Sequence, residues 1–263
     1  MNVKEMHHTK RKPLHFSSPC RMEVVAVYFA NSIDKGIFCE YNITVLYGGV
    51  ISERRTNTVA EKDMTTLERI HVAAKAEFLA KGFKSASLRN IVKTLGMTTG
   101  AFYGYYKSKE ELFDALVGEQ YNTFIGKYKE TQEAFTQLSP EKQKESMGVE
   151  SGECMDWMMA YAYDHLDAFK LILCCSEGTK YENMVHEMVE IEIEATHAFG
   201  KILEGLGMPA YKIDPQLEHM LVSGFLTAAF ETIIHDMPRD KAMEYIRKLR
   251  AFHTAGWKEI MGF

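Results

Sequence analysis

From Thr65 onward the sequence predicts an all-α fold: a small N-terminal three-helix head of the helix-turn-helix kind, then a larger helical body. Three observations predict it. Apolar residues recur at three- and four-residue spacing over stretches long enough for helices. Ser/Thr-x-x-Glu boxes stand where such stretches begin. Glycines and prolines stand where they end or restart. With 263 residues, 46% hydrophobic and 25% charged, the chain has an ordinary globular composition and enough length to bury a core.

Residues 1–63 lack this period and form an atypical extension. A His- and Lys-rich start leads into strand-like stretches at 22–30 and 37–50, broken by Asn31, Asp34, Gly36, Gly48 and Gly49. Three readings stay open: a poorly ordered extension or sequence upstream of a start at Met64, a small β appendage, or a functional arm that touches nucleic acid or the body. The expected organisation is therefore 1–63 extension, 64–110 head and 111–263 body.

The head's first helix opens with the box Thr65 to Glu68, shows Leu67, Ile70, Ala74 and Phe78 on one face, and closes at Gly82. Ser87 is placed to cap a second helix with Leu88, Ile91, Val92 and Leu95 inside. Leu95, Gly96 and Met97 make a tight turn, and Thr98 caps a third short helix that holds Phe102. A second box, Ser108 to Glu111, starts a long fourth helix with Phe113, Val117, Tyr121, Phe124 and Tyr128 on one stripe, expected as core. Residues 139–152 read as a loop or loose helix start. Helical segments follow near 153–175, 179–205, 215–235 and 238–261, with Pro215 and Pro238 at first turns, where a missing N–H matters least.

Charge divides the chain. Residues 65–109 carry eight Lys/Arg against two Glu, whereas residues 110–263 carry fourteen against twenty-seven acidic groups. A basic segment on an acidic body suits a protein with one end facing phosphate. No window approaches the ~18 uninterrupted apolar residues of a membrane span, and the run 24–30 is too short for one, so no membrane partner is expected. Five cysteines (Cys20, Cys39, Cys154, Cys174, Cys175) show neither zinc spacing nor a disulfide framework, which fits a reducing cytoplasm.

The sharpest signal is residues 87–112, SLRNIVKTLGMTTGAFYGYYKSKEEL. A helix-turn-helix needs a bracing helix, a tight turn and a narrow second helix for the major groove. Gly96 supplies the turn, and Gly100, Ala101 and Gly104 keep the presented face small. Together with Gly82-Phe83, these residues resemble the DNA-binding domain of the TetR family. The matching elements are Arg89-Asn90-Ile91, Gly96, Gly100-Ala101-Phe102-Tyr103, Tyr106 and Ser108-Lys109-Glu110. Val92, Met97 and the Tyr105-Tyr106 pair depart mildly from the usual pattern, which leaves the DNA sequence open.

The resemblance implies a repressor binding a palindromic double-stranded operator, with Arg89, Thr98, Thr99, Ala101, Tyr103, Tyr105 and Lys109 as DNA contacts. Residue chemistry divides the labour. Arg89 reaches a guanine edge or phosphate, Thr99 and Ala101 touch bases, and Tyr103, Lys107 and Lys109 hold phosphates.

The resemblance also implies a body that binds a small, hydrophobic effector and forms a homodimer through its last two helices. Trp157, Met158, Tyr161, Phe169, Met184, Met188, Phe225 and Phe230 are the pocket candidates, since Met- and aromatic-rich linings adapt to varied ligands. Leu217, Leu221, Gly224 and Ala228, with Ile246, Leu249, His253, Trp257 and Ile260, are the pairing candidates. His165, His186, His197, His219 and His235 show no metal-ligand spacing, and no metal or cofactor is expected. Nor is an enzyme: the sequence has no Gly-rich phosphate loop, nucleophile elbow or catalytic carboxylate cluster. A DNA-binding protein of architectural type, or one controlled by a protein partner without an effector, is the alternative.

Overall fold

In the computed structural model, described for residues 64–146, 148–209 and 212–261, ten helices and no strand occur among the described residues. Residues 1–63, with the strand-like stretches and the three readings of them, lie outside the described residues.

Helix α1 (Thr66–Ser85) starts as its sequence dictates. Thr65 Oγ1 accepts the Glu68 N–H at 3.2 Å, and Glu68 reaches back to the Thr65 N–H at 2.7 Å. Gly82 breaks the helix with φ 69°, a conformation that suits glycine. Ile70, Ala74 and Phe78 are buried, but Leu67, expected on the same face, is exposed, because the first turn projects beyond the packed interior.

Helix α2 (Leu88–Thr94) begins at Ser87 without a side-chain cap. The start is held instead by Glu77, whose carboxylate accepts the Ser87 N–H and the Asn90 amide, each at 3.1 Å. Gly96, at φ 64°, makes the turn. The Thr98 hydroxyl then caps α3 (Thr99–Phe102) by accepting the Ala101 N–H at 3.2 Å.

Helix α4 (Lys109–Thr136) is 28 residues long, or about 42 Å at 1.5 Å per residue. Its expected capping box is half formed: Ser108 accepts the Glu111 N–H, while Glu111 reaches the Lys107 N–H rather than that of Ser108. At its start Phe113 meets Phe78 and Phe83 edge-on at 5.1 and 5.2 Å, which fastens α4 to the head. Such aromatic pairs add about 0.5–1.5 kcal/mol beyond burial.

The body consists of α5 (Pro140–Ser146), α6 (Glu150–Asp164), α7 (Leu166–Cys175), α8 (Met184–Gly205), α9 (Pro215–Ile234) and α10 (Arg239–Met261). Two details depart from the sequence reading. The stretch 139–152 holds α5, and the segment near 153–175 is two helices, broken at His165. Helix α4 packs on α6, α7 and α8; α9 packs on α7, α8 and α10. Phe124, Phe169 and Phe230 tie α4, α7 and α9 together.

Head and body share more than α4. Helix α1 packs along α7, with Lys75–Asp167 at 3.4 Å and Lys84–Glu177 at 2.8 Å at the margin. Pro215–Ile234 is long and apolar enough by composition alone to cross a membrane, with a mean hydropathy of 1.3. Gln216, Glu218, His219 and Glu231 interrupt it, so it is not an uninterrupted apolar run. Here that helix places Val222, Leu226, Ala229, Phe230 and Ile233 in the buried core.

Candidate nucleic-acid interface and internal cavity

The turn at Gly96 and the cap at Thr98 position α3 so that Phe102 points fully inward and its neighbours point out. Arg89, Thr98, Thr99, Ala101, Tyr103, Tyr105 and Lys107 are all exposed; Tyr103 and Tyr105 are 52% and 45% accessible. Large aromatics left in water beside a basic surface are in position for a phosphate backbone. Tyr106 turns inward instead, and its hydroxyl meets His71 Nε2 at 2.5 Å. Burial holds the His71 pKa below its ordinary value, followed by the charge of Lys75. It also raises that of Tyr106. Both groups are therefore neutral near pH 7 and serve as a structural tie between α1 and the end of the presented loop.

Lys109 is placed otherwise than its expected phosphate role requires. Its ammonium donates to the carbonyls of Phe83, Lys84 and Ala86 at 2.7, 3.3 and 3.2 Å and lies 4.4 Å from the Phe83 ring centre. Those carbonyls sit at the end of α1, where helix carbonyls run short of backbone donors; only Phe83 of the three also receives one, the Ala86 N–H at 3.3 Å. A lysine has three protons to give, and here all three point into the head.

Behind the head, a cavity of about 200 Å³ lies among the far end of α4 and helices α6, α8, α9 and α10. Cavities of 150 Å³ can hold a benzene-sized molecule, so this one admits a small ligand. Tyr128, Thr131, Gln132 and Phe135 of α4 form one wall. Cys154, Met155 and Met158 of α6 face Thr196 and Phe199 of α8, and Phe225, His253 and Trp257 close the remainder.

Of the eight pocket candidates, the structure brings Met158 and Phe225 to this cavity. Phe169, Met184, Met188 and Phe230 are packed into the solid core, and Trp157 stacks on Tyr161 at 5.0 Å on the partly exposed side of α6. The reason is steric: large apolar side chains fill space, whereas cavities open where Ser151, Cys154, Ala195, Thr196 and Thr254 leave it unfilled. The sequence offered one usable signal, the small and polar residues along α8, which helical spacing alone does not single out. Tyr128, expected as plain core, lines the wall.

The cavity's chemistry centres on Glu192. It is half-buried on the cavity wall, and its Oε2 accepts the Tyr128 hydroxyl at 2.5 Å and the Gln132 amide at 2.8 Å. Burial raises its pKa, and these two bonds oppose that shift without cancelling it. Burial and the neighbouring Glu192 hold the Tyr128 phenol well above its usual range.

The Tyr128–Glu192 pair is one of three tyrosine–carboxylate links that join α4 to the chain on and before α8. Tyr121 donates to Glu187, which also pairs with Lys129 at 2.8 Å. Tyr181 donates to Asp114, beside Lys180 at 2.6 Å. Its pKa is raised to about 12, by burial first and Asp114 second.

Of the expected pairing stripe on α10, Ile246 is fully buried, Leu249 is half-buried and His253 and Trp257 face the cavity, while Ile260 is exposed, as are Tyr245 and Phe252 beside the stripe, Phe252 at 74%. On α9, Leu217, Met220 and Gly224 are exposed, with Leu221 and Ala228 half-buried.

Residues 70–116, which contain the turn, α3 and the start of α4, match the family described as bacterial regulatory proteins of the tetR family. An uncharacterized HTH-type transcriptional regulator, YdgC of Bacillus subtilis, is 39% identical over 56 residues. That match covers 21% of this chain and 29% of the relative. Among solved structures, a TerR/AcrR-family transcriptional regulator from Aquifex aeolicus is 24% identical. It covers 70% of this chain and 96% of its own, with a TM-score of 0.40. The TetR-family regulator PfmR from Thermus thermophilus is 17% identical, covering 75% and 96%, with a TM-score of 0.44.

Proposed function

Because residues 70–116 match the family described as bacterial regulatory proteins of the tetR family, we propose that the chain belongs to it and is a cytoplasmic, homodimeric repressor whose hold on a palindromic operator is released by a small apolar effector. Members of that family are regulators and not enzymes. Thr99 and Ala101 meet base edges, Arg89 a guanine edge or a phosphate, and Tyr103 and Lys107 phosphates, with Thr98 and Tyr105 also on the DNA side. Lys109 supports the head from behind.

One observation carries the regulatory part: the cavity is walled by the far end of α4, the helix that begins directly behind α3 and is clamped to the head by Phe113. Two heads of a dimer must sit in successive major grooves about 34–36 Å apart. A ligand that shifts the α4 wall moves the other end of a stiff rod. It need only bind the wrongly spaced state better, and operator DNA then weakens the ligand by the same factor.

Glu192 narrows the effector's chemistry. Tyr128 and Gln132 both bond its Oε2, and among the described residues no group bonds its other oxygen. An apolar molecule with one hydrogen-bond donor is accommodated there. The exposed apolar residues of α9 and α10 supply the dimer face, since large apolar side chains such as Phe252 gain by burial against a second copy.

The test joins operator and effector. Purified protein is selected against random duplexes, and affinity is measured from low to high salt, with and without apolar amines and alcohols that stabilise it thermally. A dimer should bind a two-fold symmetric duplex with a steep salt dependence, and a stabilising compound should lower that affinity. A folded dimer with no duplex binding at low salt overturns the repressor reading. A compound that binds the cavity without changing operator affinity overturns the regulatory part and leaves the architectural class.

A further inference from the structure

Outside the cavity and the DNA-facing surface, the fold gathers three metal-ligand groups that lie far apart in sequence. His186 and Glu190 stand one turn apart on α8, hence on one face, and His219 comes to them from α9. One ligand atom from each lies within 4.8 Å of the others, and the two imidazole rings are 6.3 Å apart between centroids. We propose that His186, Glu190 and His219 form a binding site for a divalent transition-metal ion of the zinc class.

The donor set argues for that class. Two imidazole nitrogens and one carboxylate oxygen suit zinc, with distances of about 2.0–2.2 Å to the metal, and they are a poor match to the all-oxygen shells of calcium and magnesium. In a tetrahedral shell at those distances, donor atoms stand about 3.4 Å apart. Closing from the observed spacing therefore takes side-chain rotation and no backbone movement. All three side chains are exposed, so they turn without breaking core packing and a fourth position stays open to water. The ion would clamp α8 to the second turn of α9. The linear sequence hides the site because 29 positions separate Glu190 from His219, and only the packing of α9 on α8 brings them together.

The full chain, prepared without a polyhistidine tag and stripped with chelator, is titrated with zinc alone by calorimetry and with cobalt(II) by visible absorption. His186→Ala, Glu190→Gln and His219→Ala are compared with wild type, and His235→Ala serves as the control. Wild type and control should bind one equivalent that each of the three variants weakens by at least tenfold, with cobalt d–d bands lost in the His186→Ala/His219→Ala double variant. Circular dichroism checks that each variant is folded, and the single variants carry the test if the double one is not. Equal zinc affinity and stoichiometry in wild type and the three variants overturns the site. So does the absence of zinc binding at micromolar concentration. Neither readout involves DNA or an effector, so the site stands or falls apart from the repressor reading.

Discussion

Replacing Lys109 separates two roles that its position allows. Lys109→Met keeps an apolar stem against Phe83 and deletes the ammonium that donates to Phe83, Lys84 and Ala86 at 2.7, 3.3 and 3.2 Å. A net intramolecular hydrogen bond contributes about 0.5–1.5 kcal/mol. Two of these three are long, and water replaces part of what is lost at a half-buried group. The cation over the Phe83 ring at 4.4 Å adds about 0.5–1 kcal/mol. The sum is about 2 kcal/mol, or about 4–8 °C in Tm for a folded unit of this size. Urea and thermal unfolding measure it on the full chain, beside the slope of log Kd against log salt for a bound duplex. If Lys109 caps α1, stability falls and the salt slope is unchanged. If it holds a phosphate, stability stays within about 0.5 kcal/mol while the slope drops by about 0.9 per head. The second pattern would refute the capping argument.

Four further outcomes are expected. Thr99→Ala changes preference among duplex sequences, whereas Lys107→Ala weakens all of them alike and reduces the salt slope by about 0.9 per head; a selection experiment with a salt series reads both. Gly96→Ala, forced to φ 64° with open space around the added methyl, destabilises the head by about 1–2 kcal/mol in urea unfolding. Ala195→Trp fills the cavity and abolishes the effector response while operator affinity stays within about tenfold, or ~1.4 kcal/mol, in a binding titration with and without the compound. Glu192→Gln stabilises the protein at neutral pH. Burial raises the folded-state pKa of Glu192, so its ionised form is disfavoured by folding once pH exceeds the unfolded value of about 4.3. The gain over wild type should therefore vanish as pH falls below that range, which unfolding curves at pH 4 and 7 would show.

How far the molecule was legible in its sequence depends on the range of the forces involved. The helix starts at Thr65, Thr98 and Ser108 were readable because a hydroxyl three residues from a free N–H is a local event. The turn at Gly96 was readable for the same reason, since only glycine takes that conformation without strain. What failed was direction. A 3.6-residue period says that α10 has an apolar face but leaves its rotation uncertain by about one residue, or 100°. Trp257, a pairing candidate, lines the cavity, whereas Ile260 of the same stripe and Phe252, one residue round from His253, are exposed.

The cavity failed for a deeper reason. Searching for large apolar residues finds the solid core at Phe169, Met188 and Phe230, since the same side chains that would grip a ligand also fill space. An empty volume is produced by what is small, and smallness has no periodic signature. The informative feature was instead a polar residue on an inward stripe: Glu192, with Tyr128 and Gln132 on α4. A carboxylate drawn partly out of water needs partners, and its partners are on the helix that carries the head. The arrangement thus places a polar contact of the cavity on α4, the helix that runs from behind α3 into the body. Tyr128→Phe should therefore weaken the effector's influence on operator affinity more than it weakens operator affinity itself.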